Sequence, residues 1–270
     1  MGNVKEISWK VLLTYLLVSA GMVSLVNLVL FPSNLFTPMA RATEGLIDST
    51  LQANLLNIAV FCLFVFAWGK LRPSDVGLKW DKLGQAVALT ALLWMLTQGV
   101  VLLLNWINGD IHLDPAWAER GVTPMLGALL GQLLGNALFE EVQYRGFYLS
   151  QFYLKIKSKR GRLARAILAM LGLFILSHIP NRIFSGYQLA DLPLDFLLLS
   201  IWGLFFTGIY LLSGNLFLAV GVHALVNRPT LVTASTIPPQ VILFFLTWVI
   251  IAILRARSKR SKTVAAQQDS

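Results

Sequence analysis

Charge is scarce in this chain. Of its 270 residues 13% are charged and 56% hydrophobic, at a mean hydropathy of +0.69, whereas a soluble domain carries about 25% charged residues. So little charge cannot wet a globular surface, which excludes an ordinary soluble enzyme and a disordered chain. The single cysteine excludes a disulfide-stapled fold, and Cys62, with no histidine near it, reads as a core thiol. The three histidines form no His-Glu-x-x-His element. Ser177 directly precedes His178, and adjacent helix residues do not face each other. Serine and cysteine protease chemistry therefore lacks its parts. No internal repeat and no long linker divides the chain, so residues 1–270 read as one membrane domain, ending in a polar cytoplasmic tail over 255–270.

What the chain does have is long apolar runs, at residues 11–31, 51–69, 84–107, 124–154, 163–180, 193–212, 216–226 and 239–254. About 20 apolar residues cross roughly 30 Å of hydrocarbon, so all but the seventh can span. The seventh needs protein or a polar cavity at its ends. The first run exceeds a signal-peptide core and leads into no cleavage pattern. The composition and spacing predict an all-α, polytopic membrane protein of about eight transmembrane helices.

The net charge of +9 fits this topology better than nucleic acid. Basic residues gather at Lys5 and Lys10; at Lys70, Arg72, Lys79 and Lys82; at Lys155, Lys157, Lys159, Arg160, Arg162 and Arg165; and at Arg255, Arg257, Lys259, Arg260 and Lys262. These are seventeen of the 22 Lys and Arg, and alternation of eight helices puts all of them on one side. The opposite loops hold Glu44, Asp48, Asp110, Asp114, Glu119 and Asp191. Basic loops stay cytoplasmic and attract anionic headgroups, so both termini are expected in the cytoplasm and the partner is the lipid bilayer, with no nucleic acid. The short loops suit a prokaryotic cell membrane, with a thylakoid placement left open. Trp9, Trp68, Trp80, Trp106 and Trp117 fit interfacial belts. Gly127, Gly131 and Gly135 let a neighbour approach the fourth span closely.

An ionisable residue inside a span costs at least about 2.5–3.5 kcal/mol, and such residues usually face inward and act. The spans contain few: Glu140, Glu141 and Arg145 in the fourth, His178 in the fifth, and His223 with Asn227 in the seventh. Glu141 and Arg145, four residues apart, meet on one helix face as an ion pair. Glu140 points about 100° away, on a stripe with Asn136, Gln143, Tyr144 and Phe147, and its available partners are the two buried histidines. Counting about 1.5 Å per residue lets the three converge in the cytoplasmic half of the bilayer. A carboxylate in a low-dielectric pocket becomes a better base, an imidazole shares its water or shuttles the proton, and a second imidazole with an amide supplies oxyanion donors. These are the parts of an amide hydrolase. Two histidines and a carboxylate also match a catalytic zinc set, but their spacing does not, so a metal-free site is favoured, with a divalent metal such as zinc as the alternative.

Glu-Glu-x-x-x-Arg (140–145), Phe-x-x-x-His (174–178) and His-x-x-x-Asn (223–227), in that order on late spans, resemble the CPBP family, the CAAX-protease and bacteriocin-processing (Abi-type) intramembrane proteases that include type II CAAX prenyl endopeptidases. The motif-bearing core is residues 124–229, and residues 71–78 resemble the segment often preceding it. The resemblance implies an intramembrane endopeptidase with Glu140 as base, His178 sharing the water, and His223 and Asn227 at the oxyanion. Glu141 and Arg145 would support Glu140, Phe174 would line the pocket, and a conical polar cavity would open to the cytoplasmic side. Gln143, polar where the family often places an apolar residue, would widen that cavity. The implied substrate is a peptide or membrane protein: a prenylated tail, a leader peptide or another membrane protein. The rival classes are a proton-coupled transporter and a non-catalytic membrane partner or scaffold protein. No inverted repeat supports transport.

Overall fold

The computed structural model describes residues 4–268, with side chains to Arg257; Lys259, Arg260 and Lys262 of the basic tail lie outside the described side chains. Each apolar run is a helix. They are α1 (Trp9–Leu30), α2 (Ser49–Trp68), α3 (Trp80–Asn108), α4 (Val122–Lys155), α5 (Arg162–Phe184), α6 (Leu192–Ser213), the short α7 (Leu216–Asn227) and α8 (Pro239–Gln268). The chain is thus an all-α, multi-pass membrane protein, seven of whose helices are long and apolar enough to cross a bilayer. Its described residues form no strand, only an isolated bridge between Leu113 and Thr233. Three helices start on side-chain caps, from Ser8 to the Val11 N–H, Asp48 to Leu51 and Asn215 to Leu218. Each cap satisfies an amide the helix leaves free.

Packing divides the bundle in two. One core joins α1, α2, α4 and α5 around Tyr15, Phe61 and Phe147, whose rings meet edge to face at 5.5–5.8 Å. The other joins α3, α6, α7 and α8 around Leu93, Phe206, Leu218 and Leu243. Between them lies α7, buried along almost its whole length. Close approach needs small residues: a Cβ on Gly221 would sit 1.9 Å from the Thr90 hydroxyl, and one on Gly127 would sit 1.9 Å from the Gly45 carbonyl. A Cβ on Gly131 would meet Asp48 at 2.5 Å. The glycine stripe of α4 is therefore the seat of the segment that enters α2.

The two ends of the bundle differ. At the end bearing the basic loops, the chain closes on itself. Gln151 accepts the Ile7 N–H and donates to the Lys5 carbonyl, both at 3.0 Å. Lys155 pairs with Glu6 at 3.0 Å, and Lys82 donates to the Gly214 carbonyl at 2.9 Å. The turn Pro73–Val76 lays its last carbonyl on α4, where a Cβ on Gly146 would come within 2.2 Å of it. At the other end α7 stops short and residues 228–236 run on without helix. Their polar backbone is satisfied by neighbours, as buried non-helical chain at membrane depth requires. Trp94 and Gln98 of α3 donate to the Thr230 carbonyl, Asn105 to Ala234 and Trp117 to Leu231. Trp117 thus also braces this segment. Trp9, Trp68, Trp80 and Trp106 are exposed on the bundle's outside.

Candidate active site

α4 carries the chemistry, and its backbone is not regular. It opens into π-helical turns at Gly131–Asn136 and Glu141–Tyr148, flanking the four α-helical residues Ala137–Glu140. Such insertions are frequent at functional sites because they re-aim side chains. Glu140 ends the α-helical piece and faces a polar cavity of about 730 Å³. Asn136 and Tyr144 line the same cavity on either side of it.

The second element is α5, whose helix breaks at Ser177 and His178 ahead of Pro180. The break leaves His178 at the helix end, where its Nδ1 lies 2.7 Å from the Phe174 carbonyl. A carbonyl only accepts, so Nδ1 carries the hydrogen and Nε2 is left bare. Nε2 lies 3.9 Å from Glu140 Oε1. From the third element, α7, His223 places Nε2 at 3.8 Å from Glu140 Oε2 and Nδ1 at 2.8 Å from Glu141 Oε1. Both imidazoles therefore turn the same nitrogen toward the two oxygens of one carboxylate, and both have Nδ1 held from behind.

Glu141 and Arg145 do pair, at 3.0 Å and with no exposure of either side chain. The pair also does more than its spacing implied. Glu141 Oε1 takes the Arg145 Nη1 hydrogen and the His223 Nδ1 hydrogen together, so this acid orients a histidine as well as neutralising an arginine. Arg145 in turn donates Nη2 to the Gly203 carbonyl at 3.0 Å, and its guanidinium lies over Phe174 at 4.6 Å and Phe206 at 5.6 Å. The Phe206 ring stacks on His223 at 4.2 Å, and Phe174 meets His178 edge-on at 4.6 Å. Each guanidinium nitrogen thus has one acceptor, Nε reaching Thr207 Oγ1 at 3.5 Å, while Glu141 Oε2 has no partner.

Glu140, His178 and His223 are brought together, and Phe174 and Asn227 line the same cavity. Asn227 Nδ2 donates to Gln132 Oε1 at 2.8 Å, and Asn136 reaches the same oxygen at 3.4 Å. Because Nδ2 has two hydrogens, one stays free for the cavity. Gln132 was not singled out by sequence; only its place two turns before Glu140 on the polar stripe hinted at it. Gln143 departs from expectation: its oxygen accepts the Tyr15 hydroxyl and it does not line this cavity. Asp195, at the start of α6, pairs with Arg182 at 2.8 Å. Among the described residues no three His, Cys, Asp or Glu are gathered closely enough to hold a metal ion.

The cavity opens at the end opposite to the one expected. Its lining comes from the last turns of α1 and α5, the first turns of α2 and α8, the first half of α6 and the end of α7. All of these lie toward the acidic loops. The floor below Glu140 is built from Tyr144, Phe174 and Phe206, with the Glu141–Arg145 pair buried behind it. A cavity open toward the basic loops is therefore corrected: that end is plugged by Pro73–Val76 and the N-terminal segment. Glu140 lies close to the middle of α4, so residue counting alone does not choose a side.

Residues 122–228 match the family model described as Rce1-like: Type II CAAX prenyl endopeptidase Rce1-like. No curated relative and no solved structure matches the chain. The matched residues contain Glu140, Glu141, Arg145, Phe174, His178, His223 and Asn227, the whole of the constellation described above. This stretch of the multi-pass membrane bundle is therefore similar to Rce1-like type II CAAX prenyl endopeptidases.

Proposed function

We propose that the protein is an endopeptidase whose nucleophile is a water molecule activated by Glu140 and the two histidines. A single observation carries this reading: the bare Nε2 atoms of His178 and His223 stand 3.9 and 3.8 Å from the two oxygens of one carboxylate. These gaps are too long for direct hydrogen bonds and of the size that one bridging water fills. The water held between Glu140 and His178 gives its proton to Glu140 as its oxygen attacks the peptide carbonyl carbon. The carbonyl electron pair moves to oxygen, and the developing charge is met by the free hydrogen of Asn227 Nδ2 and by His223, whose bare Nε2 takes a proton from solvent to serve as the second donor. Glu141 holds Nδ1 and so orients the ring, as an orienting acid does for a catalytic imidazole. As the intermediate collapses, the carbon–nitrogen bond breaks and the departing amine takes the proton from Glu140 through His178. The products are a carboxylate and an amine, with no metal in any step.

The substrate is a peptide or a membrane-anchored polypeptide, and family likeness adds prenylated tails to the candidates. The membrane is a cell membrane, with both termini on the side of the basic loops. A sealed floor gives a transport reading no conduit. The test is cleavage of a quenched peptide pool by the protein in nanodiscs. Glu140→Gln is expected to lower turnover by about 10²–10⁴-fold, the range for losing a general base, with unchanged unfolding. Wild-type rates in that variant would end the proposal.

A further inference from the structure

The basic clusters and the cavity mouth occupy opposite ends of one bundle, and this assigns the compartment in which the substrate is met. Alternation is fixed by contacts at both ends. The N-terminal segment, residues 70–82, Lys155 and Gly214 are bonded to one another at one end, while residues 109–117 are bonded to 230–234 at the other. Apart from the buried Arg145, only Arg41, Arg120, Arg182 and Arg228 lie away from the basic end. So strong a bias retains the basic end on the face where the chain is synthesised. The cavity then opens to the far face. At its mouth Asn227 and Arg228 are exposed, and both line the cavity that Glu140 faces.

The wall above Glu140 has a chemical character that narrows the ligand. Amide side chains dominate its polar part, among them Asn27, Asn54, Asn57, Asn136, Asn181 and Gln240. Each of these amide nitrogens spends one hydrogen on a neighbour and keeps a second, so the wall offers an extended main chain a row of donors, beside the Arg182 and Arg228 side chains that share the lining. We infer that the site takes an extended polypeptide segment presented on the non-cytoplasmic face, after that segment has crossed the membrane. A prenylated tail exposed in the cytoplasm faces the sealed end and has no route to Glu140. The orientation stands on charge and geometry alone, while the substrate class rests on the hydrolase reading.

The two are separated by one experiment with two arms, on the full-length protein carrying Cys62→Ser. In intact cells, a membrane-impermeant maleimide is expected to label Arg228→Cys at the mouth. It should fail to label Lys79→Cys in the basic loop until the cells are permeabilised. A quenched, unprenylated peptide pool added outside those cells is expected to be cut by the protein with Arg228 intact, and the signal should vanish in Glu140→Gln. The reverse labelling pattern overturns the orientation, and Glu140-dependent cleavage by detergent-solubilised protein then leaves the hydrolase reading standing. Labelling as expected with no Glu140-dependent cleavage, outside or in detergent, overturns the substrate class together with the hydrolase reading and leaves the orientation standing.

Discussion

The end that holds the cavity and the end that closes it are built from the same helices, but their polar groups are used differently. At the closed end most strong groups are bonded to one another: Arg145 is shared among Glu141, Gly203 and two aromatic faces, Gln151 ties down the N-terminal segment with both atoms of its amide, and of the Glu141 oxygens Oε1 takes two donors while Oε2 has none. At the open end carboxylate, imidazoles and amides face a common space. There the Glu140 carboxylate and the two Nε2 atoms have no direct hydrogen bond, and the amide nitrogens keep one hydrogen beyond their bonds to neighbours; bonded groups rigidify, and groups with a free hydrogen or lone pair bind and react. Substitutions at the closed end should therefore register in unfolding, and those at the open end in turnover.

The largest contrast is between Glu140→Gln, which should silence the site without loosening the bundle, and Arg145→Leu. The latter leaves Glu141 charged and buried and should cost about 3–5 kcal/mol of stability, read by thermal unfolding in detergent. Adding Glu141→Gln should recover much of it, because the stranded charge is gone. Next comes Gly146→Ala, which forces a methyl group against the Val76 carbonyl. Overpacking of this kind costs about 1–3 kcal/mol and should appear as a lowered midpoint with residual turnover per folded molecule unchanged. At the open end, Gln132→Leu frees Asn227. We expect turnover to fall by about 5–10-fold, less than the roughly 10²–10³ for deleting an oxyanion donor outright. Unfolding should not change, and Gln132→Glu, which keeps the accepting oxygen, should restore the rate.

The smallest effect concerns Asp48, at the lip of the open end just before α2. Burial, chiefly beneath α4, raises its pKa, against the Leu51 N–H bond that lowers it. A raised folded-state value favours the protonated acid, so the stabilisation is full below the unfolded-state value of 3.8 and is lost as pH rises through the folded-state one. Asp48→Asn keeps a comparable cap and should flatten that acid-side slope of the unfolding midpoint, with little change in turnover.

Much of the fold was legible because charge in hydrocarbon is expensive. Long apolar runs marked the helices, and the rarity of Glu140, His178 and His223 among them marked the site before any contact was known. What the chain's own order concealed has physical causes. The bond from His223 to Glu141 joins residues 82 apart, and no local spacing announces it. Gln143 was placed beside Glu140 by assuming 3.6 residues per turn. In the π-helical turn that begins at Glu141, each residue advances by a smaller angle, which keeps Tyr144 in the cavity and swings Gln143 to Tyr15. The side on which the cavity opens is set by where loops fold back, and hydropathy is blind to that.

The non-helical stretch after α7 links parts of the bundle that share no cavity surface. α3 contributes no side chain to the pocket, yet its Trp94, Gln98 and Asn105 grip the backbone three to seven residues beyond Asn227. Tilting the outer half of that helix would pull on the strap and drag the amide with it. Bilayer thickness, which sets how far an apolar helix leans, thereby acquires a lever on the rate of a reaction it never touches.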